Sequence, residues 1–313
     1  MLKLAAGRLL TMIPILLGII LITQLLLSLM PGDPAKIMAG QLATPEAIEQ
    51  IRIDLHLNKP VWEQFGYYVD DLAHGSLGDE PGSGTPVSSE IGAALPITLS
   101  LAGVAMVFTT VLGLVAGTLA ALRRGRFADR AVTATASVVQ AIPPFVVGLV
   151  LVILLAVNRP WFPASGYVTF SDGPWTWFWH LILPAVTLSL ASAAELARQT
   201  RGALSDTLDQ DFIRACRAKG QRELWVVGKH GAKNAATPVV TVLGLQVGRI
   251  LGGAVLVELI FGLPGFGALA LNAVQTRDIV LIQAVVLISA VAVLLANLLV
   301  DISYTYLNPR VRA

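Results

Sequence analysis

The sequence predicts an all-α, polytopic membrane protein with six transmembrane helices and both termini on the cytoplasmic side. Three observations lead there. Of the 313 residues, 55% are hydrophobic and only 13% charged, roughly half the charged share of an ordinary soluble domain. Six apolar runs each reach the roughly 20 residues that a helix needs to cross the hydrocarbon core. Lysine and arginine, finally, collect on alternate connections. Helices and closed barrels are the only structures that satisfy every backbone group in lipid, and the period of these runs is not that of strands.

The runs follow in order. Leu9–Met30 carries no charge. It is longer than the apolar core of a secretory signal, and Met30-Pro31-Gly32-Asp33-Pro34 is no small-residue cleavage site, so it reads as an uncleaved anchor. Ile91–Leu122 is over-long, and its span is set from about Thr98. Ala131–Val157 follows a basic turn; Trp177–Ala197 contains Pro184 and Glu195; Pro238–Phe261 contains Arg249 and Glu258; Ile279–Val300 is uncharged. The N-terminus, 123–130, 198–236 and the tail together hold sixteen basic residues, against five on the other connections. That asymmetry places the four basic segments in the cytoplasm. The predicted organisation is an N-terminal span with an extracytoplasmic lid (1–93), a five-helix core (94–302) and a cytoplasmic tail (303–313).

The outer segment Pro31–Glu90 holds ten acidic and three basic residues. Thr44 as cap, Pro45 at the first position and Ile48, Ile51 and Leu55 at helical spacing predict a helix there. Gly75–Pro86, rich in Gly, Ser and Pro, reads as loop. The segment is either a lid on the outer mouth or a docking surface for a solute-delivering partner. Trp161, Trp175, Trp177 and Trp179 flank spans three and four as interfacial anchors.

The connection 198–236 is long for a helix connection with no task. Asp211 can cap a short helix, Phe212, Ile213, Ala215, Cys216 and Ala218 give it apolar positions, and Gly220 can end it. A second helical stretch, from about Arg222 to Ala236, feeds span five.

Within the spans, Gly113 with Gly117, and Gly244, Gly248 and Gly252, have small-xxx-small spacing, which lets backbones approach. The span-five stripe either packs within the chain or faces a partner. Arg249, mid-span, needs water, a carboxylate or an anionic ligand, since an unpaired charge there costs about 2.5–3.5 kcal/mol. Glu258, nine residues on, lies on roughly the opposite face, and Glu195 is three residues from Arg198 and able to pair with it. Gln246, Arg249 and Glu258 are the candidate path residues. The lone Cys216 excludes an internal disulfide, the histidines have no metal-binding spacing, and there is no P-loop. No catalytic or metal site is predicted, and nothing points to nucleic acid.

Phe212-Ile213-Arg214-Ala215-Cys216-Arg217-Ala218-Lys219-Gly220, with His230-Gly231-Ala232-Lys233-Asn234 and Pro238-Val239-Val240, resembles the "EAA" loop of ABC-importer permeases, most closely the B-type permease of dipeptide and oligopeptide systems. The resemblance extends along nearly the whole chain. Leu29–Pro34 is similar to the motif after span one, Pro96–Leu99 to the start of the transmembrane core, Glu258–Gly267 to the turn after span five, and Asn297–Asp301 with Asn308–Arg312 to the C-terminal signature. Cys216 stands where that family has a small residue, Gly75–Asp79 departs from its outer-loop order, and Arg249 stands where relatives are uncharged. The resemblance implies a type I ABC-importer permease fold and a heterodimer with a second, homologous permease. It also implies two ATP-binding-cassette ATPases, which hold ATP and magnesium, and an extracytoplasmic solute-binding protein. Asp211–Gly220 would couple to the ATPases and the spans would provide alternating access. The implied solutes are peptides, or else nickel chelates, glutathione or haem. A secondary transporter would show an inverted repeat or buried acidic pair, and a membrane enzyme clustered polar residues in its spans.

Overall fold

Hydrocarbon offers a backbone no hydrogen-bond partner but itself, and this chain is helical almost throughout. The computed structural model describes residues 2–40, 43–80 and 84–307. Among these, extended pairing is confined to an isolated bridge between Asp79 and Pro86. The C-terminal motif 308–312 lies outside the described residues. The N-terminal half contains α1 (Leu2–Ser28), α2 (Pro34–Ala39), α3 (Pro45–Asp54), α4 (Val61–Ala73), α5 (Val87–Leu122) and α6 (Phe127–Ala141). Next come α7 (Pro144–Val152), prolonged by a π-helical turn over Ile153–Val157, α8 (Pro174–Leu208) and α9 (Asp211–Ala218). A short α10 (Glu223–Trp225) passes through a second π-helical turn (Val226–Gly231) into α11 (Ala232–Phe261), and α12 (Phe266–Thr276) and α13 (Ile279–Leu307) complete the chain.

Five stretches are long and apolar enough to cross a membrane: Gly7–Ser28, Val87–Leu122, Pro174–Leu208, Glu223–Phe261 and Ile279–Leu299. The third predicted span is broken. Instead of one run over 131–157, α6 and the helix from Pro144 to Val157 meet at 98°. Pro143 lacks an N–H and its ring disfavours a helical residue before it; Ile142 accordingly turns extended, at φ −93° and ψ 127°. A second difference concerns the connection 198–236. Its first residues continue α8 to Leu208 and its last run unbroken into α11, so helix fills most of it.

The chain divides into two compact units. One comprises Leu2–Thr98 with Pro264–Leu295. Its core joins Val87, Ile91 and Ala94 to Phe266, Ala273, Val280 and Ala284, while Ile20 and Leu287 enclose Tyr68 of α4. Thr44 caps α3 as predicted, accepting from the Ala47 N–H at 3.3 Å. Asp33 caps α2 through the Ala35 N–H and pairs with Arg52 at 2.5 Å. Arg277, itself in the left-handed region at φ 56°, donates to the Pro31 carbonyl at 2.7 Å. The turn after α1 is thus held from two sides. Asp278 accepts from the Leu281 N–H at the start of α13; burial pushes its carboxyl above the usual range, against that N–H.

The other unit, Leu99–Leu263 with the segment from Ala296, is organised on α8, which packs against α6, α7 and α11. Asp129 of α6 is buried and receives two bonds from Arg201 of α8, at 2.5 and 2.8 Å. Arg124 holds Asp209 at 2.5 Å. The tryptophans gather by stacking: Trp175 on Trp179 at 5.5 Å, with the Trp179 indole N–H donating to the Trp161 carbonyl at 3.1 Å.

Glycine lets α5 lie directly on α8. A Cβ at Gly113 would sit 2.7 Å from Leu196, and one at Gly117 would sit 2.5 Å from the Ala197 carbonyl oxygen. Backbone cannot yield as a side-chain tip can. Gly117→Leu should therefore lower stability by about 1–3 kcal/mol, the usual range for overpacking, read as an earlier thermal unfolding transition of the detergent-purified chain. Gly103→Ala in the same helix, where no described atom lies within 4 Å of the added methyl, should show no loss.

Candidate functional site

Two charges stand inside the apolar faces of α8 and α11, and the fold brings them together. Glu195 of α8 pairs with the Arg249 guanidinium of α11. The local Glu195–Arg198 pair expected from their spacing does not form: Arg198 donates instead to the Gln140 side-chain carbonyl at the end of α6. Arg249 is thus satisfied within the chain by an acid 54 positions away.

The pair stands in the wall of a cavity of about 370 Å³. One turn before each charge is a second polar residue, Ser192 on α8 and Gln246 on α11, so both helices present a polar rung at i and i+3. Gln140, Pro144 and Phe145, from the two arms of the broken span, close one side. Leu188, Leu256 and Val257 give apolar wall. The side chain of Arg249 is 61% exposed and that of Glu195 33%, so the pair remains open to whatever enters.

Several buried side-chain atoms lack a partner among the described residues, and Gln246 is the side chain with two of them. It is fully buried, and neither its amide nitrogen nor its amide oxygen finds a partner among the described residues. The Gln140 nitrogen is likewise buried without one. Glu258, a candidate path residue from the sequence, is not in this wall. It is fully buried on the far side of α11, and its backbone carbonyl accepts from Leu263 at the helix end. The cavity keeps Gln246 and Arg249 and adds Glu195, Ser192, Gln140 and Phe145. A signal for Glu195 was present: two opposite charges, each in an otherwise apolar run, on spans four and five.

The glycine stripe of α11 divides. Gly244 is buried, whereas no described atom lies within 4 Å of a methyl added at Gly248 or Gly252. Among the described residues, those two positions have no packing neighbour for an added methyl.

Outside the spans, α9 is amphipathic and held by one fully buried residue, Ile213. Its N-cap is Gln210, which makes no side-chain capping bond. Asp211, predicted as the cap, is instead the first helical residue and pairs with Arg214 at 3.1 Å. The end is as predicted: Gly220 takes φ 73°, its N–H reaches the Arg217 carbonyl, and that of Gln221 reaches Cys216. That double bond pattern is the Schellman termination, which favours glycine at this position. Arg217 then grips Glu223 with two bonds, at 2.7 and 3.1 Å, fixing α9 to the helix that becomes α11. Phe212, Arg214, Ala215, Ala218 and Lys219 are exposed, Cys216 half-buried. Beyond them Leu224 and Trp225 are exposed as well.

The model of the "binding-protein-dependent transport system inner membrane component" family matches residues 113–313, and its N-terminal companion matches 1–102. A probable peptide ABC transporter permease of Sinorhizobium fredii is 38% identical over 97% of both chains. A putative peptide transport system permease of Brucella abortus is 40% identical over 96% of both. A glutathione transport system permease of Escherichia coli is 39% identical over 100% of this chain and 99% of its own. Among solved structures, the inward-facing methionine ABC transporter MetNI matches with a TM-score of 0.55 at 19% identity, covering 70% of this chain and 96% of that one. At that identity the likeness concerns the fold.

A buried amide with no partner costs about 1–3 kcal/mol of desolvation. Gln246→Leu, close in volume, should therefore leave the purified chain as stable as the parent or raise its thermal midpoint, because nothing satisfied is lost. A fall of several degrees would show that Gln246 is bonded in the folded chain.

Proposed function

The chain belongs to the binding-protein-dependent transport system inner membrane component family, and from that membership we propose that it forms half of the translocation path of an ATP-driven peptide importer. It is a permease subunit of an ABC importer and a multi-pass inner-membrane protein. Such systems work with ATP-hydrolysing subunits and a solute-binding protein.

Peptide is the solute that best fits the relatives and the site together. Two relatives at 38–40% identity are named for peptide transport and a third for glutathione, which is itself a small peptide. The cavity between α8 and α11 offers one cation, one anion, the unpartnered amide of Gln246, the unpartnered nitrogen of Gln140 and Ser192 in a largely apolar wall. The partner across Gly248 and Gly252 is a second, homologous permease, whose helix can approach closely where no Cβ intervenes.

The observation that carries the coupling mechanism is the way α9 is mounted. It is anchored from behind by Ile213 and the Arg217–Glu223 clamp, and its outer face is left free. Seated in a cleft of an ATPase, with Asp211–Gly220 as the contact, it would move when two bound ATP molecules and their magnesium ions close the ATPase pair. The clamp and the continuous passage from α10 into α11 would carry that displacement to Arg249. Since α8 also ends just before α9, both charged helices would move relative to one another, opening the cavity alternately to either side.

Gly220→Trp should leave the chain inserted and assembled but uncouple ATP hydrolysis from uptake in proteoliposomes. Full ATP-driven uptake by that variant would dismiss α9 as the docking helix. Glu46, Glu49, Asp70 and Asp71 are all exposed in the acidic outer segment, here taken as the surface that receives the solute-binding protein. Changing all four to lysine should weaken that association, most at low salt, where surface charges are least screened. Unchanged transport would leave this segment a passive lid.

A further inference from the structure

The Glu195–Arg249 pair has features that a purely structural ion pair would not need. It joins two different helices, it is exposed to the cavity, and it stands beside a fully buried amide without a partner among the described residues. We propose that this pair is a displaceable latch that reads the two charged ends of a zwitterionic peptide. The ligand carboxylate takes the place of Glu195 on Arg249, the ligand ammonium takes the place of Arg249 on Glu195, and Gln246 bonds a peptide amide between them.

The proposal rests on the reading that this cavity lies in the path, and it adds which chemical form of the solute the path accepts. The reasoning is electrostatic. An empty cavity holds one positive and one negative charge that neutralise each other. Separating them in a weakly polar site leaves both uncompensated unless each finds a new partner at once. A zwitterion supplies both partners and keeps the site neutral. A ligand with one blocked end supplies one and strands the other charge.

Gln246 adds the second requirement. A primary amide donates and accepts, which matches the C=O and N–H of a peptide group, and here both capacities are unused among the described residues. The Gln140 nitrogen, also in the lining, adds a further unused donor. A free amino acid would engage the charges and leave Gln246 unfilled, so the site favours a ligand with at least one peptide bond.

The test uses the complete importer in proteoliposomes, with its solute-binding protein, and three probes: trialanine, N-acetyl-trialanine and trialanine amide. Because the binding protein is the same throughout, any change in the uptake ratios between permease variants arises in the permease. Arg249→Gln should narrow the preference for trialanine over its amide about tenfold, the scale of a lost charged hydrogen bond, and leave the preference over the acetylated probe unchanged. Glu195→Gln should do the reverse. Where a single variant fails to assemble, Glu195→Gln with Arg249→Gln strands no charge and should lose both preferences together. Ratios that stay at parental values in the double variant, or single variants that lower both ratios equally, would overturn the latch. Should the parent importer hydrolyse ATP with its binding protein yet carry none of the three probes, the peptide-path reading itself would fail, an outcome distinct from those two.

Discussion

In hydrocarbon a polar group has no solvent to turn to, and most of this structure follows from where each such group finds its partner. The helices close their own backbone bonds. The side chains then settle which helices must be neighbours. Within the spans Glu195 joins α8 to α11 through Arg249; outside the predicted spans Asp129 fixes α6 to α8 through Arg201, and in the other unit Gln24 links Gln64 of the outer segment to Gln283. Dispersion forces between apolar helices do not distinguish one neighbour from another nearly so well as one obligatory polar contact does.

Against that background, the departures from regular helix are informative. The break at Ile142–Pro143 ends α6 where Gln140 can face the cavity and begins α7 with Phe145 on the same cavity. A straight helix through 131–157 would have carried those two residues onto different faces, five positions and 500° of helix apart. The π-helical turn at Val226–Gly231 lies where the segment clamped to α9 becomes α11. Widened turns of this kind are common at functional positions. Here one separates the proposed coupling helix from the span that holds Arg249.

The glycines show how one motif takes two meanings. Gly113 and Gly117 are in near-contact with Leu196 and Ala197, and a side chain there would push α5 off α8. Gly248 and Gly252 have the same spacing and touch nothing described. Small residues on a helix allow close approach, but the approaching helix has to be present for the spacing to mean packing.

Much of this was legible along the chain. Fold class and spans come from apolar content summed over about 20 residues, and the α3 cap and the Gly220 termination come from preferences that act over three or four positions. Both are local properties, and a sequence states them directly. The kink was legible too, in Pro143–Pro144, since a missing N–H and a constrained preceding residue are also local. Asp211 was misplaced by a single position, because several polar residues precede α9 and only the backbone conformation of Gln210 decides which is the cap. What no local rule supplies is the choice of partner. Glu195 has Arg198 three positions away and Arg249 fifty-four positions away, and it pairs with Arg249 because the packing of α8 on α11 sets those two side chains face to face. Glu258, as apolar in its setting as Arg249 and on the same helix, is buried by that same packing on the opposite side. The sequence by itself determined that the chain is helical, how many long apolar runs it has and roughly where they lie. Only the tertiary structure decided which faces meet, and therefore which of three polar residues on one helix look into a cavity, since that depends on the rotation of each helix against neighbours distant in the chain.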